Sequence, residues 1–597
     1  GMKKILSFSI LIATLITTSC VNLDLNPLSE GSSSNWYSST EEIEMSLSDL
    51  YRTDFFPIAN NLWGDDFSQR TTLVFTNNGS LTATNSTVST RWSNYYKGIS
   101  RCMKLLSMMD NAREMGVPES KITQYEGEAY FYIGYAYGML AFYWGDAILY
   151  KDVISLEDAY IASRSPKAEV LAYSYECLDK AAEKLPASYS GIQRFTKGAA
   201  YAFKARVALW NGDYPTAAAA AKKCMDLGVY KLHDNYGDLF KTDWSEEWIF
   251  FFRGDVALKK YYWLASQPKD LLPRNHGGYS SWNPSLELVC SYTCTDGLPI
   301  DESPLYNPKS PFDNRDPRMS ETIIPFATMY TPCVVDGTYN PDDWAFLGIE
   351  FTPDPTRTLV KRISDGVYIG NNDSKARAEH AAYNGFVLKK YVTESWKENG
   401  FNGSPETYAY MRYGDVLLMY AESMIETGQC TQEVLDKTVN ALRERAYRGT
   451  GIEYPKATVK SQAEMRTMIR IERNAELALE GFRYEDLLRW RAAEVVFNRP
   501  IYYLLRAWSG STAWDGDESK VSDNYKKLIQ NWRDGNYPIG GIPPIDENGI
   551  ADIAGMAEAG YVVKAAERKF DPKIHYLWPV PESDILVNPN LSQNPGY

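Results

Sequence analysis

Residues 472–490 read ERNAELALEGFRYEDLLRW, and residues 412–422, upstream of them, read RYGDVLLMYAE. Arg473 and Glu476 stand three residues apart, as do Arg483 and Asp486, a spacing that places each pair on one face of a helix. Carboxylates in this pattern could be catalytic, but ion pairs that lock helices together are the preferred interpretation. We therefore predict charge-rich structural helices here and place no site on them.

Helical periodicity dominates two blocks of the chain, about 40–260 and 405–495. Its clearest unit is 198–230, where Phe203, Val207 and Trp210 share one face before a turn at 213–215. A similar segment begins 71 residues earlier, close to two units of about 34 residues. This spacing predicts tetratricopeptide-like helical hairpins.

Pro and Gly multiply between about 265 and 405, where short β-type runs occur at 358–360 and 386–388. The tail, 496–597, has a similar composition. The predicted fold class is therefore mainly α, with helical hairpins and a loop-rich insertion that contains a few short strands. Loops of this length are usually functional, so we expect the ligand face within 265–405.

The first residues have the pattern of an export signal. Gly1 before Met2 is interpreted as an expression remnant, and a basic start and a mostly apolar stretch precede Cys20. The prediction is a signal peptide over 1–19, a lipidated tether over 20–39 and a single domain over 40–597. An ordinary signal with an incidental Cys20 is the alternative. No later segment is apolar enough to span a membrane, so we expect an anchored protein.

Composition excludes some functions. The formal net charge of −14 argues against binding of nucleic acid, and 4 His in 597 residues leave little material for His-based catalysis. The composition has a surplus of aromatic residues, with 16 Trp and 43 Tyr, side chains common at binding surfaces.

Seven Cys remain after Cys20, an odd number that favours buried free thiols over a disulfide framework. Cys290 and Cys294 could approach each other or a metal, and their oxidation state stays open.

Several stretches together resemble the SusD/RagB family, in the order expected for it. They are 20–27, 314–319, 412–422, 439–446, 472–490, 578–581 and 588–597. The resemblance implies a SusD-like fold in a lipoprotein on the outer face of a bacterial outer membrane. It also implies a protein that binds glycan, caps a SusC-like TonB-dependent transporter and is not an enzyme.

Sugar rings present apolar C–H faces and polar rims, so flat aromatic side chains beside hydroxyl-binding groups are candidate contacts. Three loop regions combine the two: 63–70 with 90–92, 278–283, and 339–344. The predicted glycan-binding residues are Asp65, Asp66, Arg70, Trp92, Tyr279, Trp282, Tyr339 and Trp344. The alternative is that each Trp fills a surface crevice.

Two other functions stay open at this point. A glycoside hydrolase would need two carboxylates across the scissile bond, and Asp65/Asp66 or Asp342/Asp343 are the available pairs, although adjacent residues rarely face each other across a substrate. A helical-repeat scaffold or a binding protein for another nutrient is the second alternative.

We expect no cofactor. A structural calcium ion would need an irregular site, because no EF-hand loop is present. The glycan itself is not specified.

Overall fold

A computed structural model describes residues 37–58, 63–70, 73–330, 349–362, 365–375, 384–393, 395–504, 516–535, 541–560 and 562–597. The longer helices in these ranges are α1 Thr40–Ser48, α2 Ser86–Ser107, α3 Glu119–Trp144, α4 Lys167–Lys184, α5 Lys197–Trp210, α6 Tyr214–Asp226, α7 Tyr413–Glu426, α8 Val439–Tyr447, α9 Gln462–Glu476 and α10 Asp523–Arg533. Short helices lie at Met109–Glu114, Leu156–Ala159, Tyr236–Leu239, Pro268–Leu271, Leu286–Ser291, Pro317–Thr322, Ser395–Glu398, Gln432–Lys437, Arg483–Arg489, Ala493–Val496, Ala554–Glu558 and Glu582–Val587, and single 3₁₀ turns at Trp263–Ser266, Arg274–His276 and Glu518–Lys520.

The strands are short and pair only in antiparallel twos within the described residues. They are β1 Phe67–Gln69, β2 Trp248–Phe252, β3 Trp282–Pro284, β4 Thr328–Tyr330, β5 Ile349–Phe351, β6 Leu359–Lys361, β7 Tyr368–Gly370, β8 Tyr408–Arg412, β9 Ile501–Leu504 and β10 Val562–Ala566. The pairs are β1–β3, β2–β8, β4–β5, β6–β7 and β9–β10. The mainly α fold class is thus confirmed.

The two predicted strand runs had different outcomes. The run at 358–360 overlaps β6, whereas 386–388 is a buried extended segment that makes a single bridge from Leu388 to Ile323. Conversely, β2 and β8 formed inside the blocks predicted to be helical.

The predicted hairpin over 198–230 is present as α5 and α6. Asp213 caps α6 by accepting from the backbone N–H of Thr216, with Pro215 in the first turn. Gly212 takes the left-handed turn conformation that the connection requires, at φ 79°. Close packing continues into α3, where a Cβ on Gly138 would lie 2.3 Å from Val207 of α5.

A buried ion-pair network joins the helices, but its partners differ from the predicted ones. Arg473 reaches Asp415 of α7 at 3.0 Å and Asp486 at 3.0 Å, instead of Glu476. Arg483 pairs with Asp65 at 2.6 Å, instead of Asp486. The prediction of structural ion pairs was therefore correct, but the partners lie on other elements: Asp415 on α7 and Asp65 on the loop before β1.

Most of the aromatic surplus is core. Aromatic side chains from α3, α5, β2, β8 and the loops beside them pack in one cluster, which includes Phe56, Phe131, Tyr135, Phe195, Phe203, Phe250 and Tyr410. Cys290 and Cys294 are free and buried, as expected.

The signal and tether residues 1–36, with Cys20, lie outside the described ranges. No helix in the described ranges is long and apolar enough to cross a membrane.

Candidate functional site

A cleft of about 830 Å³ opens where the N-terminal helices meet the start of the insertion. Its walls come from the turn after α1, from the first turns of α2 and from an aromatic run just before the insertion. The described lining residues are Thr53, Asp54, Pro57, Ile58, Trp63, Val74, Phe75, Asn85, Ser86, Thr87, Thr90, Arg91, Asn94, Tyr261, Tyr262 and Trp263.

The run Tyr261–Tyr262–Trp263 forms the aromatic wall. The Tyr262 ring centre lies 5.2 Å from that of Phe252, at the end of β2. The Trp263 indole N–H donates to the Leu479 carbonyl at 2.6 Å. All three side chains are half-buried, so they combine a fixed position with open aromatic surface.

Trp263 also has a left-handed backbone conformation, with φ 53°. For a bulky residue this conformation costs about 1 kcal/mol or more, and it persists only where surrounding contacts enforce it. Such strain concentrates at ligand sites, which fits the place of Trp263 in the cleft wall.

The floor of the cleft is a stack built on Arg91. Its guanidinium lies 4.6 Å from the Trp63 ring centre and 5.5 Å from that of Trp578. It donates to the Ile58 carbonyl at 3.2 Å and to the Tyr143 hydroxyl at 3.3 Å. Aromatic rings, one carbonyl and one hydroxyl group therefore hold the buried cation in place.

Neutral polar groups on α2 form another part of the lining, here called the rim. Asn85 caps α2 by accepting from the Val88 N–H at 3.1 Å. Thr90 and Asn94 follow one turn apart on the same face of α2 and line the cleft. The described lining contains one acidic side chain, Asp54, which is exposed and pairs with Arg52 at 2.9 Å. Hydroxyl and amide groups of this kind both donate and accept hydrogen bonds.

Behind the floor lies a buried carboxyl group. The Tyr143 hydroxyl donates to Oε1 of Glu485 at 2.6 Å. Burial raises the pKa of Glu485 to about 7, against the opposing effects of that hydrogen bond and the Arg91 charge. The floor therefore rests on a group that changes charge near neutral pH.

Three predicted glycan-binding side chains are inside the molecule. Asp65 is buried against Arg483, and Asp66 accepts from the Leu479 N–H at 3.2 Å. Burial and the neighbouring Asp65 raise the pKa of Asp66 to about 7. Trp92 is 2% exposed on α2 and donates to Asp584 at 3.2 Å. Their expected place on an open loop face is wrong, because protein encloses each one and supplies its partner.

Arg70, Tyr279 and Trp282 do come together. Arg70 donates from Nη2 to the Tyr279 carbonyl at 2.6 Å, and Trp282 pairs with Gln69 across β1 and β3. Tyr279 and Trp282 are half-buried and lie outside the cleft lining, so glycan contact at this edge stays a prediction. Tyr339 and Trp344 lie outside the described residues, as do Asp342 and Asp343.

The sequence prediction included the region of Trp63, Thr90 and Arg91 but missed the aromatic wall. The available signal was three consecutive aromatic residues at 261–263, at the boundary between the helical block and the insertion. On a helix such a run would be core, and only the backbone turn after β2 shows that it faces a cleft.

In the described ranges, no group of three or more His, Cys, Asp and Glu side chains could hold a metal ion.

Comparison with known proteins identifies the class. The sequence model of the SusD family matches residues 247–597, and one described as starch-binding associating with outer membrane matches residues 39–209. The first match covers more than half of the chain, which therefore belongs to the SusD family.

Individual relatives agree over nearly the whole length. A SusD-like protein of Bacteroides ovatus is 23% identical, over 98% of this chain and 97% of its own. The crystal structure of a SusD-like carbohydrate binding protein from Bacteroides fragilis is 26% identical, covers 94% of this chain and 100% of its own, and superposes with a TM-score of 0.69. A laminarin binding SusD-like protein, 17% identical, shares the fold over 93% of this chain and 99% of its own, with a TM-score of 0.54.

Proposed function

We propose that this chain is a cell-surface glycan-binding lipoprotein, which captures an oligo- or polysaccharide in the cleft and delivers it to a SusC-like TonB-dependent transporter. The observation that carries the proposal is the pairing of an aromatic wall, Tyr261–Trp263, with a rim of neutral hydroxyl and amide groups. A sugar ring needs both, because its C–H face packs on an aromatic ring while its hydroxyl groups need donors and acceptors.

Anchoring and delivery belong to the same proposal. Cys20 would carry the lipid, and residues 21–39 would tether the folded chain to the outer membrane on its outer side. The family match that is described as associating with the outer membrane supports this location. The transporter partner is carried over from the SusD/RagB resemblance.

The proposed role is binding without catalysis. Of the carboxylate pairs considered for hydrolysis, Asp65 and Asp66 are buried and hold structural partners. In the described lining, Asp54 has no second carboxylate opposite it with which to act across a glycosidic bond.

The direct experiment uses the soluble chain from residue 21 onward. Calorimetry and affinity electrophoresis against starch, laminarin, xylan, pectin and mucin O-glycans should give saturable binding to at least one of them. Chromatography of the same mixtures should show intact polysaccharide. Absence of binding to the whole panel, or release of sugar at enzymatic rates, would overturn the proposal.

Variants locate the site. Tyr262→Ala should weaken binding about tenfold or more, since it removes aromatic surface worth roughly 1.4 kcal/mol or more in a ligand contact. Tyr368→Ala is the matched control, because Tyr368 is 61% exposed on β7 and does not line the cleft. Equal affinity in both variants would place the glycan elsewhere.

For the partner, the lipidated full chain should retain a TonB-dependent transporter when it is purified from detergent-solubilised outer membranes. Recovery of the lipidated chain without any transporter would leave glycan capture standing and would remove the delivery step.

A further inference from the structure

Trp244 differs from the other tryptophans that the structure describes. Its side chain is 60% exposed, whereas the others are buried or half-buried. An indole is among the largest apolar side chains, and leaving it in water forgoes the free energy that burial would give. An exposed Trp in a well-packed region therefore suggests a contact made with something outside the chain.

The indole is also held in place. The Thr242 hydroxyl donates to the Trp244 carbonyl at 3.0 Å, and Arg253 donates from Nη2 to the Asp243 carbonyl at 2.8 Å. The ring packs edge to face on Trp248 and Phe251, with ring centres 6.5 and 6.0 Å away. Its position is fixed before any ligand arrives, which lowers the entropy cost of binding.

The neighbours of the ring fit a sugar better than a protein surface. The loop also carries two exposed carboxylates, Asp243 and Glu246, and the hydroxyl group of Thr242. Arg253, which donates to the Asp243 carbonyl, is exposed as well. The central residues of protein–protein interfaces are enriched in aromatic side chains and Arg, whereas Asp and Glu are depleted there. An exposed flat ring with charged and hydroxyl side chains beside it in the chain provides the two kinds of contact that a sugar requires.

This surface is separate from the cleft, although one strand connects them. Phe251 of β2 packs against Trp244, whereas the next residue, Phe252, packs against Tyr262 of the cleft wall. The two phenylalanines belong to different hydrophobic clusters, Phe252 with Tyr262 and Phe251 in the other. Trp244 and the cleft thus lie on opposite sides of the β2–β8 ribbon, where a short ligand that fills the cleft does not extend.

We propose that Trp244 is an accessory glycan-binding platform that contacts a polysaccharide outside the cleft. The inference rests on the proposed function, glycan capture in the cleft. A polymer bound at the cleft raises the effective concentration of its remaining length at Trp244, so the two contacts strengthen each other. A short oligosaccharide of the same linkage gains nothing from the second contact.

The test compares Trp244→Ala with the wild-type chain on two probes, the panel polysaccharide that the wild-type chain binds and its short oligosaccharide. Polymer affinity should fall about tenfold in Trp244→Ala, a loss of about 1.4 kcal/mol, and oligosaccharide affinity should not change. Trp244→Tyr should keep most of the polymer affinity, because it retains a flat ring. Tyr368→Ala serves again as the exposed aromatic control.

Two further measurements separate the outcomes. In Tyr262→Ala, weak polymer binding should persist and should disappear when Trp244→Ala is added. The Trp244 share of iodide quenching, measured as the difference between the wild-type chain and Trp244→Ala, should decrease when polymer is added but not when oligosaccharide is added. Unchanged polymer affinity in Trp244→Ala, or an equal loss for both probes, overturns the platform and leaves cleft binding intact. A wild-type chain that binds no glycan at all overturns the proposed function and the platform together.

Discussion

At the scale of single residues, Glu485 links the cleft floor to pH. Its pKa is about 7 in the folded chain and about 4.5 in the unfolded chain, because burial disfavours the carboxylate. An acid with a raised folded pKa binds more protons when folded, so its contribution to stability falls as pH rises from about 4.5 to about 7 and is constant above that. Glu485→Gln removes this titration and keeps an acceptor for the Tyr143 hydroxyl.

We therefore expect the stability of Glu485→Gln relative to the wild-type chain to rise by about 3 kcal/mol between pH 4.5 and pH 7.5. Urea denaturation at several pH values measures the difference. Glu157→Gln, at an exposed position, should run parallel to the wild-type chain. A parallel curve for Glu485→Gln as well would show that Glu485 does not have the raised pKa.

Arg483 provides a second residue-scale prediction. It pairs with Asp65 at 2.6 Å, and both side chains are buried. Removing one partner of a buried pair leaves the other charge without compensation, which costs about 3–5 kcal/mol. Arg483→Met should therefore lower the free energy of unfolding by about that amount in urea titrations.

The double variant Asp65→Asn with Arg483→Met should recover a large part of this loss, because no unpaired charge remains. Losses that simply add would contradict the assignment of Asp65 as the structural partner of Arg483, and would reopen its role as a ligand contact.

At the scale of elements, small residues set how closely the helices of the N-terminal block approach. A Cβ on Gly134 of α3 would lie 2.6 Å from Leu178 and 2.8 Å from the Ser174 carbonyl oxygen, both on α4. Ala is a better helix former than Gly by about 1 kcal/mol, but overpacking against backbone typically costs about 1–3 kcal/mol. Gly134→Ala should therefore destabilise the chain in thermal unfolding.

Gly555, in the helix Ala554–Glu558, offers the matched control. Nothing lies within 4 Å of a Cβ placed there, so Gly555→Ala should be neutral or stabilising by about 0.4–1 kcal/mol. Equal effects of the two substitutions would mean that helix propensity, and not contact between α3 and α4, decides the outcome.

Elements were predictable from sequence where the cause is local. The α5–α6 hairpin follows from an apolar stripe, a capping Asp213 and a turn glycine, all visible within about thirty residues. The cleft is not local. Its aromatic wall at 261–263 is positioned by packing on β2 and by the hydrogen bond to the Leu479 carbonyl. The burial of Trp92 could not be predicted locally either, because its partner, Asp584, lies 492 residues away. Composition identified the chemistry of a sugar site, whereas only the tertiary arrangement shows which aromatic residues remain open.

At the scale of the whole molecule, the C-terminal tail packs against the end of α3 beneath the cleft. Asn594 donates from Nδ2 to the Trp144 carbonyl at 2.9 Å and to the Trp578 carbonyl at 2.7 Å. The Trp578 N–H in turn donates to the Tyr143 carbonyl at 2.6 Å. The end of α3 and the Arg91 stack thus depend on the last residues of the chain.

Deleting 591–597 should therefore loosen the N-terminal helices as well as the local tail. The Trp578 carbonyl loses the Asn594 donor, at a cost of about 1–3 kcal/mol, and the Trp144 carbonyl keeps only a 3.4 Å hydrogen bond from Arg164. The support under Trp63 and Arg91 weakens with them. Hydrogen exchange should become faster in 83–96 and 140–147, while the α5–α6 hairpin keeps its protection. Faster exchange confined to 576–590 would show that the tail merely covers the fold. Because the cleft floor depends on the same contacts, the truncated chain should also bind glycan more weakly than the full-length chain.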